Sequence, residues 1–136
     1  MKKTVVDLSE EQAGEIYESL AAFDRKFIGY RLEGSVNIGI ECDGKLIAGL
    51  NGYMTAFKIL YIDTVFVEEA YRRQGVGTEL LREAERRAEK LGANIIRLDT
   101  FNWQGRDFYK KLGYEEVGEY SSREDGFSEH FFVKRL

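Results

Sequence analysis

Between Ile59 and Leu91 the hydrophobic period changes once, and that change limits the folds open to this chain. "ILYIDTVFV" is a run of β-branched and aromatic residues. "TELLREAERRAEKLG" then places Leu80, Leu81, Ala84, Ala88 and Leu91 on one helical stripe, with Glu83 and Arg87 one turn apart and Gly92 as the stop. The two are joined by "YRRQGVG", which gathers two arginines, a glutamine and two glycines where strand becomes helix. A strand passing through a glycine-bearing turn into an amphipathic helix is a building unit of α/β and α+β folds. The apolar content of the strand predicts burial on both faces at its end.

The other segments fit around this unit. "KTVVDL" predicts a first strand, and "SEEQAGEIYESLAAFDRKF" a helix with Ser9 as N-cap and Ala13, Ile16, Tyr17 and Leu20 at helical spacing. "SVNIGIECDGKLIAGLNGYM" alternates on both sides of Asp43-Gly44, the preferred pair for a tight hairpin turn. "NIIRLDT" reads as a strand, "QGRDFYKKLG" as a short helix ending at Gly113, and "YEEVGEY" and "HFFVKRL" as a last pair of strands. The predicted order is β-α-β-β-β-α-β-α-β-β. With 136 residues, 43% of them hydrophobic, there is enough for one core and too little for two, so residues 1–136 are expected to form a single domain.

A formal charge of -4 gives no sequence-wide basic surface, which argues against nucleic acid and favours a cationic partner. One cysteine, Cys42, leaves no intrachain disulfide, and no N-terminal apolar run resembles a signal or membrane span, so the cytoplasm is expected. Cys42 and His130 are each the only residue of their kind, and no metal is expected.

The first amides of a helix lack internal partners and lie at the positive end of its dipole, so the entry at residues 72–78 can hold an anion. Gly75 and Gly77 carry no Cβ to keep a phosphate from those amides, and Arg72, Arg73 and the Thr78 hydroxyl add charge and hydrogen bonds. A pyrophosphate would fit. A solvated, glycine-containing surface turn has the same local sequence. No Gly-Lys-Ser/Thr comes after it, which excludes a Walker loop, and Leu80 stands where the dinucleotide fingerprint needs its third glycine, although Asp99 at the end of the next strand fits that pattern.

Taken together, Arg72-x-x-Gly75-x-Gly77 and the downstream "NWQGRDFYKKLGY", with Asn102, Gly105, Tyr109, Gly113 and Tyr114 in their places, resemble the GNAT superfamily of N-acetyltransferases. The resemblance covers roughly residues 36–136 and is strongest to small bacterial members of undefined substrate. Two positions depart from the family pattern: Glu69 stands where a proline is common, and Gly105 where alanine is usual.

The resemblance implies a mixed, mostly antiparallel sheet of about seven strands, flanked by helices, whose two parallel middle strands splay to admit the pantetheine of acetyl-CoA. It implies that Val65, Phe66 and Val67 offer backbone groups to the pantetheine, with Val65 N–H donating to the thioester carbonyl, where charge grows during attack. Arg72, Arg73, Gln74, Gly75, Val76, Gly77 and Thr78 would hold the pyrophosphate. Tyr109 would act as general acid toward the departing thiolate, with Gly105 one turn earlier leaving room for the cofactor. Asn102 would contact the pantetheine or cap the short helix. The reaction implied is direct acetyl transfer to a small-molecule or peptide amine in a ternary complex, and dimerisation through the last strands is common in the family. A non-catalytic acyl-CoA-binding module and a dinucleotide-binding domain are the alternatives.

An amine protonated near neutrality must lose a proton before attacking. Asp63 is the expected base or cation anchor, because alternation puts it on one face with Tyr61, Val65 and Val67. A strand-end carboxylate in a hydrogen bond is the competing reading. His130 is expected to be structural or exposed, and Cys42 an inert thiol.

Overall fold

The computed structural model describes residues 1–136, which fall into two compact units, Met1–Arg31 and Leu32–Leu136. In the first, α1 spans Glu10–Asp24 and opens on a capping box. Gln12 N–H donates to Ser9 Oγ at 3.1 Å, and Ser9 N–H donates to Gln12 Oε1 at 3.0 Å. The strand expected at "KTVVDL" is not formed, and residues 3–8 have no regular structure. A strand exists only where a neighbour takes up its backbone groups, and none of the sheet's strands is paired with this stretch.

The second unit is built on six strands rather than about seven: β1 Ser35–Cys42, β2 Lys45–Met54, β3 Ile59–Val67, β4 Ile95–Phe101, β5 Glu115–Ser122 and β6 Phe127–Arg135. Their order across the sheet is β1-β2-β3-β4-β6-β5, and only the central β3/β4 pair is parallel. The β1–β2 hairpin turns at Asp43 and Gly44, both at positive φ, as the Asp-Gly pair predicts. Two helices complete the unit, α2 Val76–Lys90 and α3 Arg106–Lys111. Helix α2 buries Leu80, Leu81, Ala84 and Ala88 with Leu50, Leu60, Ile62, Ile96 and Leu98 of the sheet in one core. It stops at Gly92, whose φ of 96° lets Ala93 N–H reach Ala88 O at 2.9 Å. No helix is long and apolar enough to cross a membrane.

Two irregularities in β3 open the sheet near its centre. In the β2–β3 ladder Asn51 pairs with Thr64 but Gly52 with Ile62, so Asp63 is a bulge residue without a partner. The inward positions therefore step from Leu60 and Ile62 to Val65 and Val67, three residues apart at the bulge instead of two. On the other side, β3 stays in register with β4 only from Ile59↔Ile95 to Ile62↔Leu98, after which the two diverge. The expected burial of both faces at the end of β3 is thereby overturned. Asp63, Thr64 and Phe66 are exposed, and beyond Ile62 only Val65 and Val67 pack against the core.

Candidate active site

The fork between β3 and β4 opens beside the start of α2. Between them the chain makes one 3-10 turn, Glu69–Tyr71, then passes through positive φ at Arg73 (62°) and Gly75 (81°). Gly75 is the N-cap residue, and no side chain caps the helix, so the amides of Val76, Gly77 and Thr78 point outward unsatisfied. Glu79 is the first to find a partner, donating to Gly75 O at 3.0 Å.

The residues of this turn divide their work differently from the sequence expectation. Arg72 Nε donates to Val67 O at 2.8 Å, and its guanidinium lies 5.5 Å from the Phe66 ring. Gln74 Nε2 donates to Ala70 O at 3.1 Å. Both side chains are thus engaged in folding the turn, and one of the carbonyls expected to face a pantetheine, that of Val67, is occupied. Arg73 is exposed and unpaired. Gly77 leaves its space to a ring: a Cβ there would stand 3.0 Å from Phe108 Cζ, so this glycine sets the approach of α2 to α3. At Gly75 the space is open, and its positive φ is what requires glycine.

Tyr109 lies on α3 with its ring in the core, 8% exposed, against Tyr114 and Phe132. It packs with Leu112 and Phe108 in the core. Its hydroxyl makes no hydrogen bond and is not among the enclosed polar atoms, so it is the wet end of a buried side chain. Burial and, second, the charge of Asp99 push this phenol up to about 12. Gly105 caps α3 and sits 3.2 Å, counted from an added Cβ, from Tyr109 Cε2, so the room it leaves is taken by the tyrosine ring. Asn102 does not cap α3. Its Oδ1 accepts Ser128 N–H at 2.9 Å and ties the end of β4 to β6.

The bulge also corrects the placing of Asp63. It remains on the outer face with Tyr61, but Val65 and Val67 turn to the core, and Thr64 Oγ1 donates to the exposed carboxylate at 2.5 Å. The carboxylate that sequence reasoning passed over is Asp99, weighed only for the dinucleotide pattern. It is half-buried, comes just after the last parallel pair, and its Oδ2 accepts the Tyr61 hydroxyl at 2.9 Å. Burial first, and then this bond, push Tyr61 up to about 12, and Arg97 lies 4.2 Å from its ring.

His130 belongs to a clamp beneath α3. It is 1% exposed, with Nε2 2.7 Å from Ser128 Oγ and Nδ1 2.9 and 3.2 Å from the carboxylates of Glu116 and Glu119, although no hydrogen bond is aligned on Nδ1. Arg106, the first residue of α3, closes the cluster with Nε 2.9 Å from Glu116. Its guanidinium holds the Glu116 carboxyl below the usual range.

Comparisons with known proteins agree with this architecture. The profile of the acetyltransferase (GNAT) family matches residues 3–114. The sequence is 33% identical over 133 residues to acetyltransferase Atu2258 of Agrobacterium fabrum, covering 97% of this chain and 95% of the relative. It is 31% identical over 94 residues, 68% of each chain, to the blasticidin-S acetyltransferase of Streptomyces morookaense. The crystal structure of an acetyltransferase from Bacillus cereus is similar with a TM-score of 0.90 and 32% identity, over 98% of both chains.

Proposed function

This chain belongs to the acetyltransferase (GNAT) family, and from that premise we propose that it is a cytoplasmic N-acetyltransferase that transfers the acetyl group of acetyl-CoA directly to an amine in a ternary complex. The family match runs across both compact units, which supports reading the chain as one catalytic domain. The observation that carries the proposal is the β3/β4 fork opening beside the uncapped start of α2, so that a thioester and a pyrophosphate belonging to one ligand find complementary groups side by side.

In this reading Arg73 and the amides of Gly75, Val76, Gly77 and Thr78 hold the pyrophosphate, and Arg72 and Gln74 keep the turn in shape. The backbone of Val65 and the N–H of Val67 meet the pantetheine, with Val65 N–H toward the thioester oxygen, while the register turns the backbone of Phe66 toward Gly49 of β2 instead. Asn102, through its free amide group, borders the same arm. Tyr109 offers its hydroxyl to the departing sulfur. A phenol at about 12 is some three units weaker an acid than an ordinary thiol at about 8.5, so Tyr109 keeps its proton and stabilises the thiolate as a hydrogen-bond donor. The sulfur's proton comes from the attacking nitrogen.

The test is calorimetric titration of acetyl-CoA, CoA and NADH into the protein, followed by thiol release over a panel of amines that includes blasticidin S. Acetyl-CoA and CoA are expected to bind and NADH not. Arg73→Ala is expected to weaken acetyl-CoA about tenfold through loss of a charge-assisted contact, and Gly75→Glu to abolish binding. Binding of NADH without acetyl-CoA overturns the assignment. Acetyl-CoA binding with no thiol release from any amine leaves a non-catalytic binding module.

A further inference from the structure

Asp99 lies on β4 just beyond the last parallel pair, on the face of the sheet opposite α2. Leu98 and Thr100, its neighbours, are buried in the core, so Asp99 is turned to the other face, opposite Phe131 on β6. No cation pairs with it: Arg97, two residues back on the same face, is drawn over the Tyr61 ring, and Asp99 is held by the Tyr61 hydroxyl alone. Around it stand Tyr61 from β3, Tyr120 from β5, and Phe131 and Glu129 from β6. Tyr120 donates to Glu129, and the phenols of Tyr61, Tyr109 and Tyr120 all feel the Asp99 charge. Tyr53, Tyr120 and Phe131 remain exposed on this face.

A half-buried carboxylate without a counter-ion is costly unless a cation visits it, and aromatic rings beside it add to the attraction for an ammonium group. We propose that Asp99 receives the acceptor's ammonium group and takes its proton, and that the acceptor is a primary monoamine whose apolar body lies against Tyr120 and Phe131. The inference rests on the acetyltransferase reading and names the substrate class and the base for it. Asp99 removes one proton from the ammonium. The freed nitrogen attacks the thioester carbon, the C–N bond forms and the C–S bond breaks. The surplus proton on nitrogen passes to the leaving sulfur beside Tyr109, and the proton on Asp99 goes to solvent. Tyr61 is the positioning residue, because its hydroxyl fixes the carboxylate and leaves Oδ1 facing the acceptor.

The experiment uses the full chain, with acetyl-CoA binding measured first, so that failure of the cofactor reading is seen separately. Thiol release is then followed with 2-phenylethylamine, tyramine and blasticidin S against pH. Asp99→Asn, which preserves the bond from Tyr61, is expected to lower kcat/KM for 2-phenylethylamine roughly a hundredfold, the scale of a general base, while acetyl-CoA affinity stays within about twofold. The rate of the variant is expected to rise with pH only as the amine itself loses its proton, unlike that of the wild type. Asp99→Glu is expected to recover part of the loss, and Tyr61→Phe to raise KM more than it lowers kcat. Wild-type kcat/KM in Asp99→Asn overturns the proposal, as does saturable turnover confined to blasticidin S or failure of every panel amine to turn over in a protein that binds acetyl-CoA.

Discussion

Tyr109 shows how a single side chain can be core and chemistry at once. Its ring stacks into the packing of α3 on β6 while its hydroxyl stays accessible, so replacing the hydroxyl should leave the packing intact. Tyr109→Phe is expected to lower kcat about a hundredfold with little change in melting temperature or acetyl-CoA affinity. Since the phenol titrates near 12, it is protonated at any pH below about 10, and the basic side of the pH profile should be the same in the variant as in the wild type. Gly105→Ala brings a methyl to 3.2 Å from the same ring and tests its position: turnover is expected to fall by more than cofactor affinity does. The glycines were legible in the sequence, but their reasons were not. Gly77 and Gly105 give their space to Phe108 and Tyr109, which a sequence cannot reveal because the neighbours are brought there by the fold. The face of Asp63 was hidden for a related cause, since the bulge changes which residues of β3 lie together: Val65 and Val67 turn to the core while Asp63 stays outside.

At the level of elements, the helix and strand periods predicted α2, β3 and the β1–β2 hairpin closely, because in each a repeating apolar pattern agrees with a stop or turn signal. "KTVVDL" carries the composition of a strand and has no partner, and composition cannot supply one. Gly77→Ala is expected to cost about 1–3 kcal/mol by forcing Phe108, and hence α3, away from α2, and thermal unfolding reads this directly. On the outer side of α2, the Arg86 and then the Arg87 guanidinium hold the Glu83 carboxyl down to about 2 from its ordinary value near 4.5. A lowered folded-state value means that the pair stabilises above the ordinary value and that this is lost as the pH falls through about 2. Glu83→Gln should therefore be less stable than the wild type at pH 7, and the gap should close toward pH 2 and shrink in high salt. Beneath the helix, Lys134 Nζ is 3.1 Å from Glu85 and 2.8 Å from Leu112 O, joining α2, β6 and the end of α3. Lys134→Met removes one partner of a mostly buried pair and is expected to destabilise by about 3 kcal/mol.

For the molecule as a whole, the charge of -4 makes approach by an ammonium acceptor favourable at long range and approach by acetyl-CoA unfavourable except at the turn around Arg73. Added salt is expected to lower kcat/KM for the amine, as stopped-flow or steady-state rates at increasing NaCl would read. The bulge at Asp63 has a different kind of consequence. With that residue deleted, Leu60, Ile62, Val65 and Val67 fall into plain alternation, every second residue inward, with no break for β2 to accommodate. The chain is thus one residue away from an uninterrupted sheet in which β3 and β4 could run on together. Deleting Asp63 is expected to leave the melting temperature equal or higher while acetyl-CoA binding is lost, whereas substituting it should change neither much. Position 63 would then be selected for being occupied, whatever occupies it, and lineages that lose the residue should drift toward sturdy, idle proteins.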